Sequence, residues 1–261
     1  MRLINLISFG GIKPTPYTDA LKSKVILAGG LFNPTLESAF KTFEGAMGSE
    51  LVKYDRLNFY GVNNSIAAIY DFINPTITVS AVASPTWTNN YGFTGNGTSS
   101  YINTRFNQLT SGTNYTQNSN SFGAYFLINK GATTEVNMGL SNGSNLTYLM
   151  PNNAGSFYFV ANQGTNTTTT GQNTSGLISV RRTSSTNVEG YRNSSLISSI
   201  TVSSVALISQ EFFLGAYNAS GSAAGFSSNP FAFSYMASGD INVTTLYNAV
   251  QAFATTMGWA V

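Results

Sequence analysis

The spacing of hydrophobic positions changes twice along this chain. Near the start, Tyr17, Leu21, Val25 and Ala28 recur four, four and three residues apart, one apolar stripe of a helix. Thr15-Pro16 supplies a start signal and Gly29-Gly30 a stop. Asn33-Pro34 repeats the start signal, and Leu36, Phe40, Phe43, Met47 and Leu51 form a second stripe. Two helices joined by "GGLFN" predict an antiparallel helical hairpin over 15–55. Gly45 and Gly48 each weaken the second helix by very roughly 1 kcal/mol, so it needs packing to form.

From Arg56 onward the pattern becomes short, aromatic and β-branched. Runs such as "RLNFYGV", "TITVSAV", "SFGAYFLIN", "SFYFVAN", "GLISVRR" and "PFAFSYM" are separated by Asn, Gly and Pro. Many short strands at roughly ten-residue intervals predict an antiparallel sandwich or jelly roll. "YGFTGNGTSSYINTRFN" (91–107) predicts a hairpin, with Gly95-Asn96-Gly97 as the reversal. After it Ser99, Tyr101 and Asn103 alternate with Ser100, Ile102 and Thr104, the pattern of a half-buried strand. Residues 164–176 read as a polar loop or hairpin tip. Beyond Asp240 the helical period returns in Val243, Leu246, Tyr247, Val250, Phe253 and Met257, predicting a terminal helix over 241–257. Asp240 is expected to cap that helix, and Gly258 occupies the left-handed position after it.

Composition narrows the chemistry. Charged residues make up 8% of the 261, about a third of the usual share, and Ser, Thr, Asn and Gly replace them. Residues 1–60 carry twelve charges and the other 201 carry ten. A net charge of +2 leaves no electrostatic footprint for nucleic acid. So neutral a surface suits a chain packed against copies of itself or a partner, or one that meets neutral glycans. With neither His nor Cys, the usual zinc ligands, thiol nucleophiles and imidazole bases are excluded. No apolar run approaches the length of a membrane span, so no membrane insertion is expected. "MRLINLISFGG" lacks the small-residue cleavage site of a signal peptide and reads as an extended arm over 1–14.

The acids after residue 60 are Asp71, Glu135, Glu189, Glu211 and Asp240, no two closer than 22 positions. A single-strand pair for glycoside hydrolysis is therefore missing, and carboxylates are too few for a strong Ca²⁺ site. No catalytic residue, metal or cofactor is expected. Asp71 is expected at a strand end. Arg181-Arg182 is expected at a sheet edge or in a salt bridge between subunits. Asn-x-Ser/Thr triplets at Asn96, Asn142, Asn145, Asn193 and Asn218 are no more than such a composition produces by chance. "GFTGNG" lacks the Lys and helix of a phosphate loop and is a turn. Metal-free sugar binding asks for an aromatic platform with a few amides and hydroxyls. The candidates in or near predicted loops are Trp87, Tyr91, Tyr115, Tyr148, Tyr217 and Phe226, each of which also fits core or rim packing.

The 91–107 stretch resembles the opening strands of laminin-G-like, concanavalin-A-like domains. "ISVRRTSSTNVEGYRN" (178–193), "EFFLGAYNASG" (211–221) and "FAFSYMASGDINVTTLYNAVQAF" resemble later elements of such domains, in the same order. The helical hairpin before "LNFYGVNNSIAAIYDFINPT" and "SPTWTNNYGFTGNGTSSYINT" is similar to virion proteins of tailed bacteriophages and prophages, particularly those of Bacteroidetes hosts. The resemblance implies a mainly β, antiparallel jelly-roll sandwich (concanavalin A-like) over 56–261, with the 15–55 hairpin anchoring or oligomerising it. It implies a non-enzymatic virion component, such as a capsid decoration, head fibre or tail appendage. Its partners would be other virion proteins and further copies of itself, with host-surface glycans as a candidate ligand. The alternatives from other classes are a secreted carbohydrate-binding lectin module and a polysaccharide depolymerase.

Overall fold

The structure, a computed structural model, describes residues 16–261. The expected arm over 1–14 and the Thr15 start signal lie outside the described residues. Helix α1 (Tyr17–Leu27) and helix α2 (Pro34–Met47) form the hairpin. The α2 start is as the sequence reads: Asn33 caps it by accepting from the Leu36 N–H at 2.9 Å. For α1 the cap comes from its partner helix, since the Glu44 carboxylate accepts from the Tyr17 and Thr18 amides at 2.9 and 3.0 Å. A carboxylate at a helix N-terminus satisfies unpaired donors and opposes the helix dipole.

The strands follow in chain order: β1 (Tyr54–Phe59), β2 (Ser80–Val82), β3 (Thr86–Thr88), β4 (Gly92–Thr94), β5 (Tyr101–Asn107) and β6 (Asn120–Phe126). Next come β7 (Met138–Ser141), β8 (Leu146–Asn153), β9 (Ser156–Gln163), β10 (Thr168–Thr170), β11 (Gly176–Ser184) and β12 (Asn187–Arg192). The last are β13 (Ser195–Thr201), β14 (Glu211–Leu214), β15 (Tyr217–Ala219), β16 (Ser222–Ala224) and β17 (Phe231–Ala237). Helix α3 (Val243–Met257) closes the chain. Its N-cap is Asn242, whose Oδ1 accepts from the Thr245 amide at 3.0 Å, and not Asp240, which lies exposed with an oxygen 3.7 Å from Lys53 Nζ. Two residues of extended chain separate Asp240 from the first turn, beyond the reach of its carboxylate. Gly258 takes the left-handed cap as the sequence reads (φ 83°).

The molecule is a mainly β, antiparallel sandwich of two sheets with the helix pair at one end of the chain and α3 at the other. The first sheet runs β13-β12-β11-β6-β17-β4-β3, with β1 also on β17. The second runs β10-β9-β8-β7-β14-β5-β2, with β15 on β7 and β16 on β15. The predicted hairpin at 95–97 is not one. Strand β4 pairs with β3 and β17, whereas β5 pairs with β2 and β14, so the glycine turn carries the chain from one sheet to the other. Asn96 braces that corner, its Oδ1 accepting from the amides of Thr98, Ser99 and Ser100. The alternation after it holds: Ser100, Ile102 and Thr104 are buried, and their neighbours face outward.

Helices α2 and α3 lie on the first sheet, making a third layer. Phe40 packs 4.9 Å from Phe253, and Phe59 lies 4.5 Å from Phe253 and 4.9 Å from Phe233. On the opposite side, Phe122 of β6 meets Phe212 of β14 across the sandwich at 5.1 Å. Strands β6 and β17 are consequently buried along their whole length, covered by helices on one face and by the second sheet on the other. Among the described residues no helix packs on the outer face of the second sheet, where Val136, Tyr148, Met150 and Val160 form a small buried cluster of their own, with Leu146, Tyr158 and Tyr217 packed against it.

The two arginines of the "RR" pair do not lie at a sheet edge. They sit on β11, between β6 and β12, and point to opposite faces. Arg181 pairs with Glu189 on the adjacent strand at 2.6 Å. Arg182 is fully buried. Asp71 is buried too, bridged to Asn58 and accepting from the amides of Leu57 and Asn74 at 3.0 and 2.6 Å. Burial outweighs the nearby Arg56 charge and these hydrogen bonds, and pushes the Asp71 carboxyl up to about 7. The folded state then holds a proton that the unfolded chain releases above about pH 4. Stability is expected to fall as pH rises from about 4 to about 7 and to level off above. Thermal midpoints across that range should show the decline in the native chain and a shallower one in Asp71→Asn. Equal slopes would contradict the assignment.

Candidate functional site

The outer face of the second sheet is built by residues whose neighbours along the strand point inward. In β8, Thr147 and Leu149 enter the core while Leu146, Tyr148 and Met150 face out. In β9, Phe157 and Phe159 enter the core while Tyr158 and Val160 face out. Pairing sets Tyr148 opposite Val160 and Met150 opposite Tyr158. Tyr158 is therefore the diagonal neighbour of Tyr148, with ring centroids 6.5 Å apart. Strand β15 brings Tyr217 alongside Gly139 of β7, and its ring lies 6.5 Å from Tyr148 on the other side.

Gly139 makes this arrangement fit. A Cβ there would stand 2.3 Å from the Tyr148 Cβ and 2.5 Å from the Thr147 carbonyl oxygen. Any side chain would thus displace Tyr148. The result is a hollow of about 240 Å³ lined by Val136, Ser141, Leu146, Tyr148, Met150, Asn166 and Tyr217. The Tyr148 hydroxyl donates to Asn166 Oδ1. Burial pushes the Tyr148 phenol up to about 12, so it stays a neutral donor.

Charge is confined to the surroundings and is paired there. Burial favours a neutral Glu135, but Lys130 Nζ at 2.6 Å and the Ser227 hydroxyl at 2.8 Å hold it below the usual carboxylate range. Glu211 accepts from Asn103 Nδ2 at 2.6 Å and lies 3.9 Å from Arg105. The lining of the hollow includes no carboxylate. Among the described residues no cluster of three or more His, Cys, Asp or Glu could hold a metal ion. This set of rings, one amide and one hydroxyl suits an uncharged ligand with an apolar face and a polar edge.

Of the six aromatic residues singled out in the sequence, the structure brings Tyr148 and Tyr217 together. Phe226 lies apart from the hollow's lining, 6.3 Å from Tyr101. Trp87 and Tyr91 lie at the far edge of the first sheet, where Trp87 Nε1 donates to the Tyr60 carbonyl at 3.0 Å. Tyr115 is in the core, 5.6 Å from Phe106 and 6.0 Å from Phe212, because its loop is pulled inward by Asp55. The Asp55 carboxylate accepts from the amides of Thr113, Asn114 and Tyr115. Sequence reading missed Tyr158, Met150, Asn166 and Tyr101. The signal for the first two was the outward phase of "LTYLM" and "SFYFV", which assigned them to strands and left the outer face unread.

No family model matches the chain, and no curated protein matches it. Solved structures do. Domain 4 of a GH43 extracellular arabinanase from Geobacillus stearothermophilus, in complex with arabinotriose, superposes with a TM-score of 0.51 at 12% identity, over 76% of this chain and 98% of that one. The binding domain of botulinum neurotoxin serotype D gives 0.55 at 10% identity, over 78% of this chain and 53% of that one. The shared fold is the antiparallel two-sheet β-sandwich. A mutant Trypanosoma rangeli sialidase displaying trans-sialidase activity gives 0.51 at 12% identity, over 84% of this chain and 39% of that one. The chain therefore spans about half of the neurotoxin domain and well under half of the sialidase. At such identities the likeness is one of fold.

Proposed function

We propose that this chain is a non-enzymatic glycan-binding module that holds its ligand on the outer face of the second sheet, and that it serves as a component of a phage particle. One observation carries the binding reading: on the sheet face that no helix covers among the described residues, the partly exposed Tyr158 and Tyr217 flank the largely buried Tyr148 around a hollow free of carboxylates. Sugar rings present apolar faces to aromatic side chains and hydroxyls to amides, and this face offers both. The arabinanase domain of like fold, solved with arabinotriose, adds support. The particle reading rests on the sequence resemblance and on the scarcity of charge. A secreted lectin would use the same face, and the carbohydrate-active neighbours favour it equally.

Binding is tested by affinity electrophoresis in gels containing debranched arabinan or bacterial neutral capsular polysaccharides. Retardation is expected for the native chain and a tenfold or greater loss for Tyr148→Ala, the scale of a central aromatic contact. Free migration of the native chain in every gel would overturn the binding reading. Immunogold labelling with antibody raised against the full chain tests the second part. Label on heads or tails is expected, and label only on cells or medium would favour the secreted lectin.

A further inference from the structure

The aromatic surface does not stop at the hollow. Strand β14 runs beside β7, and Phe213 is in register with Gly139, the same residue that faces Tyr148 and Tyr217. Phe212 enters the core, so Phe213 lies on the opposite face, where it is 5% exposed beneath Tyr101 of β5 at 4.4 Å. Phe226 joins them, 6.3 Å from Tyr101. The two aromatic groups meet at Gly225, where a Cβ would come within 3.2 Å of the Tyr217 ring and 2.7 Å of Val136. A second glycine thus lets the chain pass flat between them.

From Tyr158 on β9 to Tyr101 on β5 the path crosses β8, β7 and β14. Four strand spacings of about 4.8 Å make it roughly 19 Å long. The hollow occupies one end of this path. Lys130 is held by Glu135 at 2.6 Å, while Arg105, half exposed, donates to the Ser80 hydroxyl and lies 3.9 Å from Glu211. Among the described residues each cation near the path, Lys130 and Arg105, has a carboxylate within 4 Å that competes with a uronate or sialate carboxyl, and Asn103 and Asn166 stand along it with their amides.

We infer that, given the glycan-binding reading on which this rests, the ligand is a neutral oligosaccharide gripped along its chain across the strands, with Tyr101 and Phe226, backed by Phe213, forming a second subsite beyond the Tyr148 hollow. A site for a single terminal sugar would need the hollow alone. A chain laid across the sheet gains affinity with each unit until it reaches Tyr101.

The test is a glycan array carrying neutral homo-oligosaccharides (arabinan, xylan, glucan, mannan and galactan backbones) from disaccharide to hexasaccharide, with uronic and sialylated chains beside them. The native chain is expected to bind longer neutral chains roughly tenfold or more above the disaccharide. Tyr101→Ala and Phe226→Ala should reduce the long chains to the disaccharide signal, and Tyr148→Ala should lower both. Equal signals at every length, or native behaviour from both subsite variants, would overturn the inference and leave the Tyr148 site standing. Preference for acidic chains would overturn neutrality. Absence of all binding by the native chain would overturn the glycan reading itself and this inference with it.

Discussion

Arg182→Met should cost about 4 kcal/mol or more of folding stability, while Arg181→Met on the next residue should cost about 1 kcal/mol. The contrast follows from strand alternation. Arg181 is partly exposed and paired with Glu189. Arg182 is 0% exposed, and its guanidinium is held by backbone carbonyls and one amide. Nε donates to the Ala161 carbonyl at 2.7 Å, Nη1 to the carbonyls of Val202, Ser184 and Ser185, and Nη2 to Gln163 Oε1 at 3.3 Å. Burial lowers its pKa to about 10, which leaves it charged at neutral pH. A methionine fills similar volume but leaves these acceptors without donors in a dry interior, where each unsatisfied group costs about 1–3 kcal/mol. The contacts join β9, the β11–β12 turn and the segment after β13, so their loss loosens both sheets at once. Urea unfolding of the two variants checks this. Similar midpoints would show that Arg182 is no keystone.

A chain beginning at Tyr54 is expected not to fold. The hairpin and the sandwich share one apolar cluster, running from Leu21 and Phe40 through Phe59 and Phe72 to Phe253. Phe40 stacks on Phe72 at 5.3 Å and meets Phe59 edge-on at 5.1 Å, and Phe43 meets Phe59 at 4.8 Å. Removing both helices leaves Phe59, Phe72 and Phe253 facing water on the outside of the first sheet. Phe40→Ala is the graded version, with an expected loss of about 3–5 kcal/mol. Circular dichroism and heteronuclear NMR of the truncated chain decide. A soluble, cooperatively unfolding product would mean that the hairpin is a separable anchor on an independent sandwich.

Where the governing interaction lies within a few residues, the sequence was readable. Asn33 and Gly258 cap their helices as the local pattern indicates, and the alternation from Ser100 to Phe106 is the alternation of burial. Interactions between distant segments were not readable. Gly95-Asn96-Gly97 has the chemistry of a hairpin turn, yet that chemistry also suits a corner between sheets, and the partners of β4 and β5 lie over a hundred residues away in β17 and β14. The α1 cap was likewise hidden, because Glu44 arrives from the second helix. Arg181 and Arg182 are neighbours of one type with opposite surroundings, decided by which face of β11 meets the core.

The candidate site followed the same rule. Tyr148 and Tyr217 were recognisable as aromatics amid amides, but their meeting depends on β15 docking beside β7. That the site lies on the second sheet depends on α2 and α3 covering the first. Tyr115 looked like a loop residue until Asp55 drew its loop into the core.

The most direct measurement is NMR of the chain with ¹³C-labelled tyrosine rings, titrated with the longest neutral oligosaccharide retained on the array. Rings of Tyr148, Tyr158, Tyr217 and Tyr101 should shift together, while the buried Tyr115 and Tyr235 and the first-sheet Tyr91 and Tyr191 stay in place. Shifts at Tyr91 or Tyr191 with a silent Tyr148 would place the ligand on the first sheet and contradict the assignment of the outer face.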